Sequence, residues 1–434
     1  MRDVVLGPTI LFLAAYALTH PWVGIMGWTW LSIMNPHALS WRLSSMPVAA
    51  TMAVATFVGL LITRDRRQFF VTRETAVLML FMLWMCITLP FSFYFDQSYP
   101  LWNRVMKIDL MVLVSLVVLH SKKHMTVLAW VLVGSLAFFG VKGGLFTLAT
   151  GGSYRVWGPE GSYIEGNNEV ALALVMTIPL MRFLHLTTES VWVKRGLLVS
   201  MPLCAIAALG SYSRGALLAI GAMVVVLWWR SDKKFIGAVL LIVVSVSLLS
   251  FMPEQWWERM NTIQTYKEDA SAGGRINAWW MAYNLAKDHL FGGGFMIYLP
   301  EVFAQYAPDP LDVHAAHSIY FMVLGEHGFI GLFLFLLLWT LVFLSAGRLR
   351  VQGKKFPETV WLSHLGGMCQ VSLAGYAVGG AFLSLSYYDF PYDILVLIVL
   401  GCRWMDRKEW LIEARVAAEK QAAADAKNGR LVQR

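Results

Sequence analysis

Residues 202–229 read PLCAIAALGSYSRGALLAIGAMVVVLWW, two apolar runs separated by a short polar island. The runs, Pro202–Leu209 and Ala216–Trp229, lack the alternation of a strand, and a chain in lipid must satisfy its own backbone hydrogen bonds. They therefore indicate two transmembrane helices. The island contains Arg214, and a charge at the edge of a membrane core is costly enough to need a partner or a function.

The composition extends this interpretation to the whole chain. Its 434 residues are 58% hydrophobic and only 14% charged, with a mean hydropathy of +0.58. An ordinary soluble domain does not have this composition. We therefore predict an all-α, polytopic integral membrane protein. Met1–Thr19 lacks a small-residue cleavage site, so we expect a retained segment and not a signal peptide.

The net charge of +8 at pH 7 does not indicate nucleic-acid binding, because of where the positive residues lie. Basic loops are retained on the cytoplasmic side of a membrane. The basic clusters occupy short links that recur at every second loop, namely 64–67, 122–123, 194–195, 230–234, 348–355 and the tail from 403. Topology alone explains this pattern, so we expect membrane lipids but no nucleic acid as partners.

Assigning the basic links to the cytoplasm predicts about 12 transmembrane helices. After the first apolar stretch, the predicted spans are 46–63, 74–90, 104–120, 125–141, 168–185, 192–209, 212–229, 235–251, 316–344, 358–379 and 390–403. His20-Pro21 divides the first stretch, because proline breaks helices. Counting that stretch as one broken crossing places both chain ends in the cytoplasm, and counting it as two places the start outside.

Four regions follow from this topology. N-terminal transmembrane helices occupy 1–251, a large, partly helical periplasmic loop occupies 252–314, C-terminal transmembrane helices occupy 315–403, and a cytoplasmic tail occupies 404–434. Within the loop, Gln255–Ile263 and Arg275–Lys287 are predicted helices lying on or above the membrane.

The topology places two arginines on the outer face. Arg214 begins the span 212–229, where the free N–H groups of a helix start favour anions, and its forked donors suit phosphate oxygens. Ser211 or Ser213 could cap this helix. The alternative is an arginine that snorkels to the interface. Arg275 follows two glycines, which permit close backbone approach, and taken alone it is a solvated loop arginine.

His317 lies where the large loop re-enters the membrane, and it is a candidate general base. Nearby arginines and a positive helix end favour neutral imidazole, which can accept a proton from a hydroxyl. The alternative is a histidine that bonds water or backbone. His314 lies one helical turn away, but with Asp312 it does not complete a convincing ligand set. We therefore predict no metal site.

Several other polar residues of the outer face are candidates to line a sugar-binding cleft. They are Arg155, Glu165, Asn167, Asn168, Tyr387, Tyr388 and Asp389. Each of them is also compatible with a structural role. Gly292-Gly293-Gly294 lacks the lysine and strand context of a phosphate-binding loop, so it does not predict a nucleotide site.

These motifs resemble the O-antigen ligase family of bacterial inner-membrane proteins, which is related to O-antigen polymerases. The matching pieces are Ser211–Gly215, Gly274-Arg275 followed by Trp279, His317-Ser318 and Leu324–Leu332, and they cover roughly the second half of the chain, from Asn168 to Leu344. The stretches Pro21–Gly24 and Met34–His37 look like a subgroup described as O-glycosylation ligases.

The resemblance implies a metal-independent glycosyltransferase without a cofactor. Such an enzyme transfers a glycan from undecaprenyl diphosphate to a sugar hydroxyl of lipid A–core at the periplasmic face of the bacterial inner membrane. It implies that Arg214 and Arg275 bind the donor diphosphate and that His317 activates the acceptor hydroxyl. Ser213, Arg155, His314 and Asp389 are further candidates for substrate binding.

Three alternatives remain open at this point. An O-antigen polymerase would use a second lipid-linked repeat as acceptor, and a protein O-oligosaccharyltransferase would use Ser or Thr. A transporter or flippase for the lipid-linked glycan would place charged or broken elements near the bilayer midplane.

The absence of an obvious carboxylate pair for double displacement predicts inversion at the anomeric centre. The oligomeric state does not follow from the sequence.

Overall fold

A computed structural model of the chain describes residues 2–63, 70–230, 252–261 and 270–412, together with residues 250 and 415. All regular secondary structure in these residues is helical, which confirms the predicted all-α class. The α-helices are α1 (Arg2–Ala17), α2 (Pro21–Met34), α3 (Val48–Ile62), α4 (Arg73–Thr88), α5 (Phe95–Val118), α6 (Lys122–Ala149), α7 (Asn167–Thr187), α8 (Val191–Gly210), α9 (Arg214–Arg230), α10 (Glu254–Asn261), α11 (Ala270–Asp288), α12 (Pro300–Tyr306), α13 (Ile319–Gln352), α14 (Val360–Gly379) and α15 (Asp389–Asp406).

Five helical segments of the described chain are long and apolar enough to cross a membrane. They are Arg73–Phe91, Lys122–Ala149, Asn167–Thr187, Val191–Gly210 and Ile319–Gln352. Asp3–Ala17, Val48–Ile62 and Arg214–Trp229 are shorter apolar helices. A multi-pass membrane protein is supported, but the predicted count of about 12 spans is not confirmed. Most of the predicted span 235–251, and the tail beyond residue 415, lie outside the described residues.

The first apolar stretch forms two separate helices that run in opposite directions. The backbone N–H of Arg42, beyond the end of α2, donates to Asp3 Oδ1 at the start of α1 (3.2 Å). At the other end, Gly59 of α3 lies against the backbone of Ala17. The start of the chain therefore lies at the same end as Arg42, and the number of crossings in this stretch stays a prediction.

The region predicted as a large, partly helical loop contains helices close to the predicted ones. The described part of the predicted helix Gln255–Ile263 lies within α10, and its residues 262–263 lie outside the described residues. The predicted helix Arg275–Lys287 falls within the longer α11. Helix α11 packs against α12 and α13. The helical character of the loop is confirmed, and its location on the periplasmic side stays a prediction.

Helix α14 lies at the centre of the bundle, packed against α7, α9 and α13. Small residues allow this close approach, as is usual where lipid provides no hydrophobic force between helices. A Cβ at Gly379 would press on Leu172 of α7 and Ala219 of α9. The end of α9 that begins with Arg214 is therefore held in a fixed position relative to its neighbours.

Helix α13 is broken at Gly328, which has φ +69° and ψ −173°. The segment Gly292–Gly294 fills the break. The N–H of Gly293 donates to the Gly325 carbonyl (2.9 Å), and the N–H of Gly294 donates to the Glu326 carbonyl (3.0 Å). Backbone groups freed inside a membrane protein must be satisfied in this way. The glycine run therefore supplies hydrogen-bond donors to backbone carbonyls at the break in the helix.

Candidate active site

The polar island forms a tight turn between α8 and α9. Ser213 Oγ accepts the N–H of Ala216 (3.2 Å), so Ser213 caps α9. Ser211 Oγ donates to the Ala208 carbonyl (2.6 Å) instead. Of the two predicted capping residues, the structure selects Ser213, and the cap places Arg214 in the first turn of the helix.

Hydrogen bonds to three neighbouring segments hold this turn in place. Tyr212 donates its hydroxyl to the Gly152 carbonyl (2.7 Å), Asn167 donates to the Ser211 carbonyl (2.7 Å), and Trp256 donates to the Leu209 carbonyl (3.0 Å). Tyr212 has φ +63°, a left-handed backbone that is rare for an aromatic residue. Such strain persists only where the surroundings enforce it, and it concentrates at functional sites.

Arg214 and Arg275 line one cavity of about 310 Å³. Arg214 comes from the start of α9 and Arg275 from α11, and both side chains are half-buried. Trp279 and Phe382 form part of the same wall. The structure thus brings together the two arginines that the sequence placed only on one face.

Helix α11 also holds the loop that carries His317. Asn277 is buried and donates to the carbonyls of Asp309 (2.8 Å) and Asp312 (2.9 Å). Trp279 donates its indole N–H to the Ala316 carbonyl (2.7 Å) and stacks on Phe321. Trp279 therefore joins the arginine cavity directly to the residue before His317.

His317 does not line the arginine cavity, but it interacts electrostatically with Arg275. Its backbone conformation is unusual, with φ +43°. Its Nδ1 atom is buried and has no hydrogen-bond partner among the described residues. Burial, then the positive charges of Arg275 and His314, lower the pKa of His317 to about 4. The imidazole is neutral at pH 7 in this setting, as the sequence predicted, and its role as a base stays a prediction.

Glu169 is a charged neighbour of the site that the sequence reasoning missed. It lies in the first turn of α7 and interacts electrostatically with Arg275. An acid in the first helical turn is usually explained by the helix dipole, so no local pattern distinguishes it. The sequence signal for Glu169 is its position two residues after Asn167, in a segment that is predicted to lie on the outer face.

The other predicted site residues do not line the arginine cavity as the structure describes it. Arg155 is exposed and stands over the Tyr212 ring at 5.5 Å. His314 is exposed, pairs with Asp312 (2.8 Å) and lies against Gly274. Asp389 is buried elsewhere, where it accepts from Ser32 and interacts with Arg104. In the described part of the chain no group of three or more His, Cys, Asp or Glu could hold a metal ion.

Two apolar cavities adjoin the site. An aromatic groove of about 350 Å³ shares Ile276 and Trp279 with the arginine cavity. A larger cavity of about 610 Å³ lies between α9, α13 and α14, lined by residues such as Ala222 and Val225 of α9. Leu218 of the arginine cavity and Ala222 of the large cavity are one helical turn apart, so both cavities open on one face of α9.

Comparison with known families agrees with the sequence-based resemblance. Residues 199–336 match the family model described as O-Antigen ligase, and this range contains Arg214, Arg275 and His317. Residues 1–188 match a family of unknown function (DUF5935). No curated protein matches the chain. The first match confirms the resemblance to the O-antigen ligase family over residues 199–336.

Proposed function

We propose that this chain transfers a glycan from undecaprenyl diphosphate to a sugar hydroxyl of lipid A–core at the periplasmic face of the bacterial inner membrane. Its residues 199–336 match the O-antigen ligase family model. The observation that carries this proposal is that Arg214 and Arg275 line one cavity, while Arg275 interacts electrostatically with His317 and Trp279 of the same cavity holds the preceding residue. The family match supports a membrane glycosyltransferase in general, and the donor, the acceptor and the residue roles are part of the proposal.

The two arginines would hold the donor diphosphate. Breaking the glycosidic bond leaves negative charge on the diphosphate oxygens, and fixed guanidinium groups stabilise charge where it develops. The N-terminal turn of α9, capped by Ser213, adds backbone N–H groups and the positive end of the helix dipole. Glu169 would position Arg275 through their electrostatic interaction.

The arrangement along α9 suits a lipid that carries a diphosphate head. The arginine cavity lies at the start of the helix, and the apolar cavity of about 610 Å³ begins about two turns deeper on the same face. An isoprenoid chain would occupy the deep cavity while its diphosphate contacts Arg214. The aromatic groove beside Trp279 offers flat ring faces on which sugar rings can stack.

His317 would act as the general base in a single displacement. The acceptor hydroxyl transfers its proton to His317, its oxygen bonds to the anomeric carbon, and the bond from that carbon to the diphosphate breaks. Undecaprenyl diphosphate leaves with the electron pair. A single displacement inverts the anomeric centre. The free site holds imidazole at a low pKa, and a bound diphosphate would offset Arg275 and make His317 a stronger base.

One reconstitution tests the proposal against its alternatives. The purified protein receives a synthetic undecaprenyl-diphosphate glycan with lipid A–core, with a second lipid-linked repeat, or with an acceptor protein. Transfer only to lipid A–core is the expected result. Transfer to a repeat or to Ser or Thr would identify a polymerase or a protein oligosaccharyltransferase, and lipid movement without transfer would identify a flippase. The same assay with a chelator tests metal independence.

A further inference from the structure

A second polar cavity, of about 290 Å³, lies between the N-terminal helices and the loop before α7. Among the described residues that line it, Arg104 and Lys107 are cationic and none is acidic. Ser32, Asn35, His37 and Asn103 add neutral polar groups. We propose that this cavity binds an acidic sugar, one bearing a carboxylate or a phosphate, of the glycan acceptor. This inference rests on the proposed function.

The two cations are presented in one direction. Arg104 and Lys107 are three residues apart on α5, so they lie on the same helix face, and both are exposed. The Arg104 guanidinium stacks over the Tyr163 ring at 4.0 Å, which fixes its plane while its edge remains available for donation. Asp389 does not line the cavity, but it interacts with Arg104 and accepts the hydroxyl of Ser32 in the cavity wall.

The neutral groups suit a sugar. His37 Nδ1 is buried and has no hydrogen-bond partner in the part of the chain that the structure describes, and burial lowers the pKa of His37. A neutral imidazole can exchange hydrogen bonds with hydroxyl groups. Trp28 supplies a ring to the wall. The volume is near the lower end for small-ligand pockets, roughly 300–1,000 Å³, which fits one or two sugar units.

The position of the cavity connects it to the candidate active site. The segment 150–166 reaches both places. Val156 donates its N–H to the Gly210 carbonyl beside the Arg214 turn (3.1 Å), and Asn35 donates to the Glu160 carbonyl next to the second cavity (3.2 Å). Gly161 and Ser162 then form part of its wall. A glycan held here would therefore extend along one segment of chain toward the arginine cavity.

Direct binding tests this assignment without requiring transfer. The full chain in nanodiscs of zwitterionic lipid is titrated calorimetrically with a tetrasaccharide of alternating glucuronate and N-acetylglucosamine, and with the neutral N-acetylglucosamine tetrasaccharide. We expect the acidic sugar to bind at least about tenfold more tightly. Arg104→Gln and Lys107→Gln should each weaken its binding roughly tenfold, the effect of one charge-assisted hydrogen bond. Two substitutions guard against a folding defect in one of them.

Lys142→Gln is the matched control, since Lys142 is exposed on α6 and lines none of the cavities described above. It should bind the acidic sugar like the wild type. Equal affinity for both sugars, or unchanged affinity in both cavity variants, would overturn the assignment. So would complete displacement of the sugar by phosphatidylglycerol in the nanodisc, which would identify a lipid headgroup site.

In the transfer assay, Arg104→Gln should raise the acceptor KM while kcat and the donor KM stay unchanged. A fall in kcat alone would contradict an acceptor site. Acidic-sugar binding that depends on Arg104, combined with no transfer to any acceptor, would support the site and overturn the proposed function. The two failures are therefore separable.

Discussion

Arg214 and Arg275 come from different helices, and their side chains line the same cavity. The capped start of α9 fixes the first, and α11, which also holds the His317 loop, carries the second. Two like charges that line one cavity repel each other, and the interaction of Arg275 with Glu169 offsets part of this repulsion. Because the two arginines share one cavity, we treat them as one anion-binding site.

The first prediction is that the two arginines contribute to donor binding as a unit. Arg214→Gln and Arg275→Gln should each weaken binding of undecaprenyl diphosphate about tenfold or more, because each removes charge-assisted hydrogen bonds. If both side chains contact one diphosphate, the losses in the double variant will not be additive. Arg214→Lys should give an intermediate loss of affinity, since it keeps the positive charge but not the paired N–H donors of the guanidinium.

A titration of labelled undecaprenyl diphosphate in nanodiscs measures these affinities, with Lys142→Gln as the control for total charge. Additive losses would mean that the arginines act independently. Wild-type affinity in Arg214→Gln would remove that residue from donor binding.

The second prediction concerns the pH dependence of His317. The pKa of the free histidine, lowered to about 4 by burial and by Arg275, keeps it neutral down to mildly acidic pH. As a base it must be unprotonated, so kcat/KM should decline only as the pH falls toward about 4. Removing the positive charge in Arg275→Gln raises the pKa of His317, and the acidic limb should move to higher pH.

The measurement is the profile of kcat/KM against pH for both proteins, with His317→Ala as the control that should lose turnover but retain donor binding. An acidic limb that stays at the same pH in Arg275→Gln would show that the charge of Arg275 does not affect the pKa of His317. Wild-type turnover in His317→Ala would rule out the base.

The third prediction is that Trp279 positions the His317 loop. Trp279→Phe removes the hydrogen bond to the Ala316 carbonyl but retains a ring to stack on Phe321. We expect kcat to fall roughly tenfold, because a small misplacement of a catalytic group has a large effect on rate, with donor affinity nearly unchanged. Trp192→Phe makes the same substitution at an exposed indole of α8 that lines none of the cavities described above, and it should retain kcat. Equal losses in the two variants would contradict the assignment.

Part of this architecture is predictable because its signals are local. Hydropathy and helix-start chemistry lie in a few consecutive residues, so the all-α class and the helices α10 and α11 could be expected. The charge pattern also ordered the loops well enough to place Arg214, Arg275 and His317 at one end. The structure then adds that the two arginines share a cavity.

Other features depend on contacts between distant segments and have no local signature. Asp389 looks like an outer-face ligand in the sequence, and only the packing of α15 shows that Ser32 binds it. Glu169 resembles any acid in a first helical turn until Arg275 lies beside it. The number of spans also does not follow from the sequence, since helix α15 carries four charged side chains in an otherwise apolar segment.

The fourth prediction concerns the break in α13. Gly328 has a positive φ and an extended ψ, a conformation that is essentially restricted to glycine, and a Cβ there would overlap the Leu290 carbonyl oxygen. Gly328→Ala should therefore reduce the free energy of unfolding by about 1–3 kcal/mol. It should also disturb the hydrogen bonds from Gly293 and Gly294 to α13.

Gly221→Ala is the control, because nothing lies within 4 Å of a Cβ at that helical position, and alanine favours a helix. Thermal unfolding in one detergent compares the variants. The break is structural if Tm falls in Gly328→Ala and stays level or rises in Gly221→Ala, whereas equal shifts would show that α13 accommodates a regular turn at this point.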